Sequence, residues 1–135
     1  MLRRADPSPD IAHTEIASAG RYLADARKCL QEKMPEMAVV AVYTAMFHSA
    51  RAILFRDGIR ERSHVCVVAY LAENYPLLRE HINALDMFRR SRHNMLYGVD
   101  VTAVEEDARQ GIAAAERFVG ASGAEITKPA PPGRP

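Results

Sequence analysis

Apolar positions along the chain recur at spacings of three and four, and the segments that carry them are separated by proline, glycine and serine. That period is helical, and no turn dipeptide joins alternating apolar and polar runs, so the pattern predicts helices and no β-hairpin. In SPDIAHTEIASAGRYLADARKCL, Ser8 can accept from the free amides of a first turn, and Pro9 takes the first helical position, where a missing N–H costs nothing. Helix one then runs to about Gln31. Pro35 takes the same starting role in PEMAVVAVYTAMFHSARAILFRDG, and Gly58 stops that second helix. Ser63 caps a shorter third helix, RSHVCVVAYLAEN, which ends at Tyr75-Pro76. A fourth runs from Leu77 to about Tyr97, with Gly98 placed to close it. The fifth starts at Thr102, where TAVE forms a capping box with Glu105, and carries Val104, Ala108, Ile112, Ala115 and Val119 along one side.

Five such helices with short links predict an all-α fold, an up-and-down bundle of four to five helices over residues 8–120. Helix two is apolar around most of its circumference, so it belongs at the centre and leaves a face for a second protomer. Residues 1–7 are expected to be flexible. So is the tail from residue 121 to 135, ASGAEITKPAPPGRP, which has too little apolar surface to offset its ordering entropy.

Charge adds only a negative result. The 18 basic and 17 acidic residues among 135 leave a formal net charge of +1, which creates no global field for nucleic acid or an anionic membrane, so any basic site must be local. Cys29 and Cys66 lie far apart with no metal-ligand spacing, which predicts no disulfide framework. The apolar run Met37 to Phe47 is too short to span a bilayer, and MLRRADPSPD lacks the apolar segment of a signal peptide. A cytoplasmic protein with no membrane partner is expected.

The densest chemistry is RRSRHNMLYG, residues 89–98. At about 100° per residue Arg92 falls in the apolar stripe of Leu78, Leu85 and Leu96. A guanidinium there must pair with a carboxylate, bind backbone carbonyls, or face a groove or subunit interface, because burying it alone is costly. Arg89, His93 and Tyr97 form a second polar row at intervals of four, able to grip a phosphate or to lie solvated, with Asn94 beside it. Arg92 and His93 are the catalytic candidates. On helix two His48 and Arg51 sit one turn apart on an otherwise apolar surface, and His64 follows Ser63 at the start of helix three; these three join Arg89, Asn94 and Tyr97 as binding candidates. The chain has no Walker loop, GxGxxG, HExxH or GxSxG, and no recognisable metal arrangement, so no cofactor is expected.

The order AVYTAMFHSARAILFRDG, then RSHVCVVAYLAENY, then RRSRHNMLYG before a last amphipathic helix resembles the HEPN domain family over roughly Ser8 to Val119. The resemblance implies a helical bundle, a homodimer and, in many members, a small nucleotidyltransferase partner in a toxin–antitoxin module. Catalytic members are metal-independent ribonucleases that use Arg, four to six residues, then His at the dimer interface. There an imidazole moves the 2′-hydroxyl proton and arginine stabilises charge on phosphorus. This chain departs from that pattern: no arginine precedes His13, His48, His64, His81 or His93 at the required distance. From Arg92 the matching downstream place is held by Tyr97. This is similar to the branch whose fourth helix ends in Arg followed by Asp-Tyr-Gly, with Leu96 in place of the aspartate. Two readings follow: a dimeric module that binds a partner and RNA, or a ribonuclease with a non-standard Arg/His/Tyr site.

Overall fold

A computed structural model describes residues 3–61, 63–96 and 104–131, with only the backbone described at residues 3, 4 and 94–96. Five α-helices follow one another: α1 (Pro9–Gln31), α2 (Pro35–Asp57), α3 (His64–Asn74), α4 (Arg79–Leu96) and α5 (Val104–Ile126). The all-α bundle is as expected, and most helix ends carry the signals that mark them in the sequence. Ser8 Oγ accepts from the Ile11 amide, Ser63 Oγ accepts from the Cys66 amide, and Pro9 and Pro35 open their helices. Gly58 ends α2 in the left-handed region at φ 78°, and a Cβ there would lie 2.6 Å from the Ala5 carbonyl oxygen, so only glycine fits. The fourth helix begins as a single 3-10 turn at Pro76–Leu78. Its end at Tyr97–Gly98 and the Thr102 cap of the fifth helix lie outside the described residues.

α2 is the central helix. Val39, Val42, Ala45, Met46, Ala50, Ile53 and Leu54 are buried along it, against α1 on one side and α5 on the other. By length and composition it could also cross a membrane, but most of it is buried inside the bundle. α1 meets it through Ala12, Ala19 and Ala26, seven residues apart, whose small side chains let the backbones approach. α5 buries Val104, Ala108, Gly111, Ala115, Phe118, Ser122 and Ile126, in steps of three or four. That stripe is rotated from the expected one. Ile112 and Val119 sit at its edge, because Gly111 leaves room for Phe88 of α4 and for Val42, while Phe118 is buried two turns further on.

Two terminal expectations are corrected. The segment from residue 121 is not a flexible tail throughout: α5 continues to Ile126, with Ser122 and Ile126 buried and the following carbonyls held by Arg56. At the other end, Arg3–Arg4 (β1) pairs antiparallel with Ile59–Arg60 (β2), the Ala5 amide donates to Gly58 O at 2.7 Å, and the Ser8 amide donates to Phe55 O at 2.9 Å. The left-handed turn at Gly58 leaves backbone groups that need partners, and the N-terminal residues supply them.

The largest buried polar cluster holds these ends together. Arg56 is 2 % exposed. Its Nε donates to Asp57 Oδ1 at 2.6 Å, its Nη1 to Glu125 O at 2.5 Å and Lys128 O at 3.0 Å, and its Nη2 to Tyr75 Oη at 2.7 Å and Glu125 Oε2 at 2.9 Å. Tyr70 and Tyr75 both donate to the other Asp57 oxygen. Burial, and then its hydrogen bond to Asp57, holds the Tyr75 phenol well above the ordinary tyrosine range. The folded chain therefore keeps a proton that the unfolded chain releases. The stability this group contributes is complete below about pH 10 and is lost as the pH rises beyond it. Melting temperatures measured from about pH 9 to about pH 11 should fall, and Tyr75→Phe should make that fall shallower. An unchanged slope in the variant would show that Tyr75 is not the group responsible.

Candidate functional site

One face of α2 is left only partly covered: Val40, Tyr43, Thr44, Phe47, His48, Arg51 and Phe55 form a continuous stripe of half-buried residues. α1 borders it on one side. There His48 Nδ1 pairs with the Glu15 carboxylate, and its ring stacks on Tyr22 with centroids 5.3 Å apart. One turn further, the Arg51 guanidinium lies 5.2 Å from the Phe55 ring centroid, with its buried Nε unbonded. These two binding candidates thus share a face, but each already engages a neighbour of its own.

On the other side α3 and α4 bring a denser group together. Tyr43, Phe47 and His64 stack, with Tyr43–Phe47 centroids at 6.0 Å and Phe47–His64 at 6.3 Å. His64 stands at the first position of α3, fixed by the Ser63 cap, and both its nitrogens are engaged. Nδ1 lies 3.2 Å from the Tyr43 hydroxyl and Nε2 lies 3.1 Å from Asp86 Oδ1. The neutral tautomer that satisfies both carries its proton on Nε2, donates to the carboxylate and accepts from the phenol.

Asp86 also faces Arg90 at 3.2 Å and Arg89 at 3.7 Å, one helical turn along α4. The hydrogen bond from His64 holds its carboxyl below the ordinary carboxylate range; burial opposes this, and the positive charges of Arg90 and Arg89 reinforce it. Burial raises the Tyr43 phenol above its ordinary value, while Arg92 and Arg89 pull it back down. Tyr43 is therefore a hydrogen-bond donor near neutral pH and not a phenolate.

Arg92 follows Leu85 and Phe88 on the face of α4 that meets the core, as its position in the apolar stripe predicts. Of the destinations open to it, the structure shows neither a carboxylate nor a carbonyl among the described residues. The guanidinium lies 5.1 Å from the Tyr43 ring centroid, a cation–π contact, and its buried Nε has no hydrogen-bond acceptor; Arg89 Nε has none either. Two cationic heads thus converge beside an Asp–His–Tyr chain with donors to spare. His93, the proposed partner of Arg92 in catalysis, is exposed one residue on. The histidine linked to the Tyr43 ring beneath Arg92 is His64 from another helix. Asn94 lies in the last turn of α4, but its side chain is outside the described residues, as is Tyr97.

Tyr43 and Asp86 escape a reading of the sequence. Asp86 left a signal, since Asp followed by arginines three and four positions later pairs on a helix. Tyr43 left none beyond an aromatic in an apolar run. Among the described residues no group of three or more His, Cys, Asp or Glu side chains could hold a metal, and Cys29 and Cys66 are both free.

A family model described as HEPN domain matches residues 13–125, from the first turns of α1 to the last turn of α5. The chain belongs to the HEPN family. No curated protein sequence matches it. The HEPN match runs past residue 120 almost to the end of α5, in agreement with the ordered helix there.

Proposed function

We propose that this HEPN domain is one component of a toxin–antitoxin-like pair, acting in the cytoplasm as a homodimer that binds a nucleotidyltransferase partner and RNA. The observation that carries the RNA reading is the placement of Arg92. A half-buried guanidinium over the Tyr43 ring, with Arg89 beside it and no carboxylate of its own among the described residues, is suited to a phosphate. The half-buried aromatic stripe of α2 supports self-association, because an interface across it would cover Phe47 and place two such arginine groups around one cleft. The nucleotidyltransferase partner follows from the family resemblance.

Sedimentation over a wide concentration range should show a dimer, and Phe47→Glu should dissociate it. Fluorescence anisotropy with a labelled single-stranded RNA should show salt-dependent binding. Arg92→Ala should weaken it and lower the salt slope by about one, the signature of one lost phosphate contact. A wild-type chain that stays monomeric and binds no RNA would sink both parts of the reading.

The second reading, a metal-independent ribonuclease, rests on His64 and not on His93. It is the histidine that a carboxylate orients next to the arginines. Its mark is RNA cleavage that persists in a chelator and is lost in His64→Gln. Intact RNA after incubation with the purified dimer leaves the binding module as the function.

A further inference from the structure

The two hydrogen bonds of His64 make the donors of this site depend on one proton. With the imidazole neutral, the Nε2–H group donates to Asp86, and the Tyr43 hydroxyl spends its proton on Nδ1. Once the imidazole is protonated, both nitrogens are donors. Asp86 still accepts from Nε2, but Nδ1–H must now donate to the Tyr43 oxygen, and the phenolic O–H is released to point elsewhere. That hydroxyl belongs to the ring over which Arg92 lies.

We propose that a phosphodiester bound at Arg92 and Arg89 drives protonation of His64, and that the proton turns the Tyr43 hydroxyl from the histidine to the phosphate. This rests on the RNA-binding reading and adds to it a third donor, a proton-linked affinity, and roles for Tyr43, His64 and Asp86 that the arginines alone do not require. The only covalent change is the N–H bond that a solvent proton forms at Nδ1; the hydrogen bond between Nδ1 and the Tyr43 oxygen reverses, and the phenolic O–H takes the phosphate as its new acceptor.

The charges around His64 explain why the ligand controls the proton. From α4, Asp86 favours the imidazolium, whereas Arg89, Arg90 and Arg92 oppose it. From α2 the neutral Tyr43 faces it, with Phe47 excluding water on the flank. Before α3, Glu61 is occupied with the Ser63 amide. An arriving phosphate neutralises the arginine field, which opposes a further positive charge, and so binding and protonation favour each other. Tyr43 can donate to the phosphate while its oxygen accepts from Nδ1–H, because burial keeps the phenolic proton in place.

The test is calorimetric titration of the full chain with a short single-stranded 2′-O-methyl oligoribonucleotide, which cannot be cleaved, in buffers of different ionisation enthalpy. Wild-type protein should take up protons as it binds, at most one per site, and affinity should fall by up to about tenfold per unit as pH rises. His64→Gln should abolish the uptake. Tyr43→Phe retains the ring beneath Arg92 but removes the hydroxyl, and it too should flatten the pH dependence. His13→Gln, on the exposed surface of α1, should not. Circular dichroism checks that each variant folds, and Tyr43→Phe decides the matter if His64→Gln does not. Oligonucleotide binding without proton uptake, or full uptake in Tyr43→Phe, overturns the proton switch while leaving the RNA reading intact. Absence of binding at any pH overturns both.

Discussion

Arg56→Ala is expected to destabilise the fold by about 3–5 kcal/mol, the range for removing one partner of a buried ion pair. The substitution does three things at once. It strips the Asp57 carboxylate of its guanidinium, although Tyr70 and Tyr75 still donate to it. It leaves Glu125 O and Lys128 O without the donor that closes the end of α5. It also opens a cavity where a nearly inaccessible side chain stood. Urea denaturation followed by circular dichroism measures the total, and amide exchange at residues 124–128 should quicken beyond the global change. Arg56→Lys should recover only part of the loss, because an ammonium cannot present the planar fork that reaches Asp57, Tyr75 and both carbonyls together. A lysine variant of full stability would show that charge alone, and not this hydrogen-bonding geometry, sustains the cluster.

The Arg56 cluster also marks where a reading of the sequence stops. Helix starts and stops are local events: Ser8 and Pro9, Pro35 and Gly58, and Ser63 each act within one turn of their own position, and each is legible in a single chain. The order of α5 beyond residue 120 is not local. It depends on a guanidinium 69 positions earlier and on Ile126, a lone apolar residue in a segment that otherwise looks like a linker. The β1–β2 pairing likewise depends on a turn more than fifty residues downstream of the strand it orders.

The site divides in the same way. The period of α4 places Arg92 on the inner face, and the same period pairs Asp86 with Arg89 and Arg90. What the period cannot supply is the partner on another helix. His64 reaches Tyr43 across 21 positions and Asp86 across 22, and nothing in the neighbourhood of any of the three announces the other two. The same period sets His93 in the row of Arg89, beside the stripe that holds Arg92. On a helix, consecutive side chains diverge by about 100°, so adjacency along α4 separates these residues in space.

Gly111→Ala should cost about 1–3 kcal/mol even though alanine is the better helix former by about 1 kcal/mol. A Cβ at this position would stand 2.8 Å from Phe88 Cε1 and 2.9 Å from both Phe88 Cζ and Val42 Cγ1. Neither neighbour has free space to retreat into, since Phe88 and Val42 are both buried in the core. Gly20→Ala and Gly120→Ala are the controls: they lie mid-helix, exposed, with nothing within 4 Å of an added Cβ, and should stabilise by up to about 1 kcal/mol each. Opposite signs for the same substitution would separate packing from propensity within one protein. The consequence reaches the site, because Phe88 lies one turn before Arg92 on α4. If relief of the clash pushes α4 away from α5, the Arg92 guanidinium loses its seat over Tyr43, and RNA affinity should fall together with stability. If stability falls alone, Phe88 has moved within the core and α4 has kept its place. If Gly111→Ala is as stabilising as the two controls, the close packing of α4 on α5 at this position is wrong.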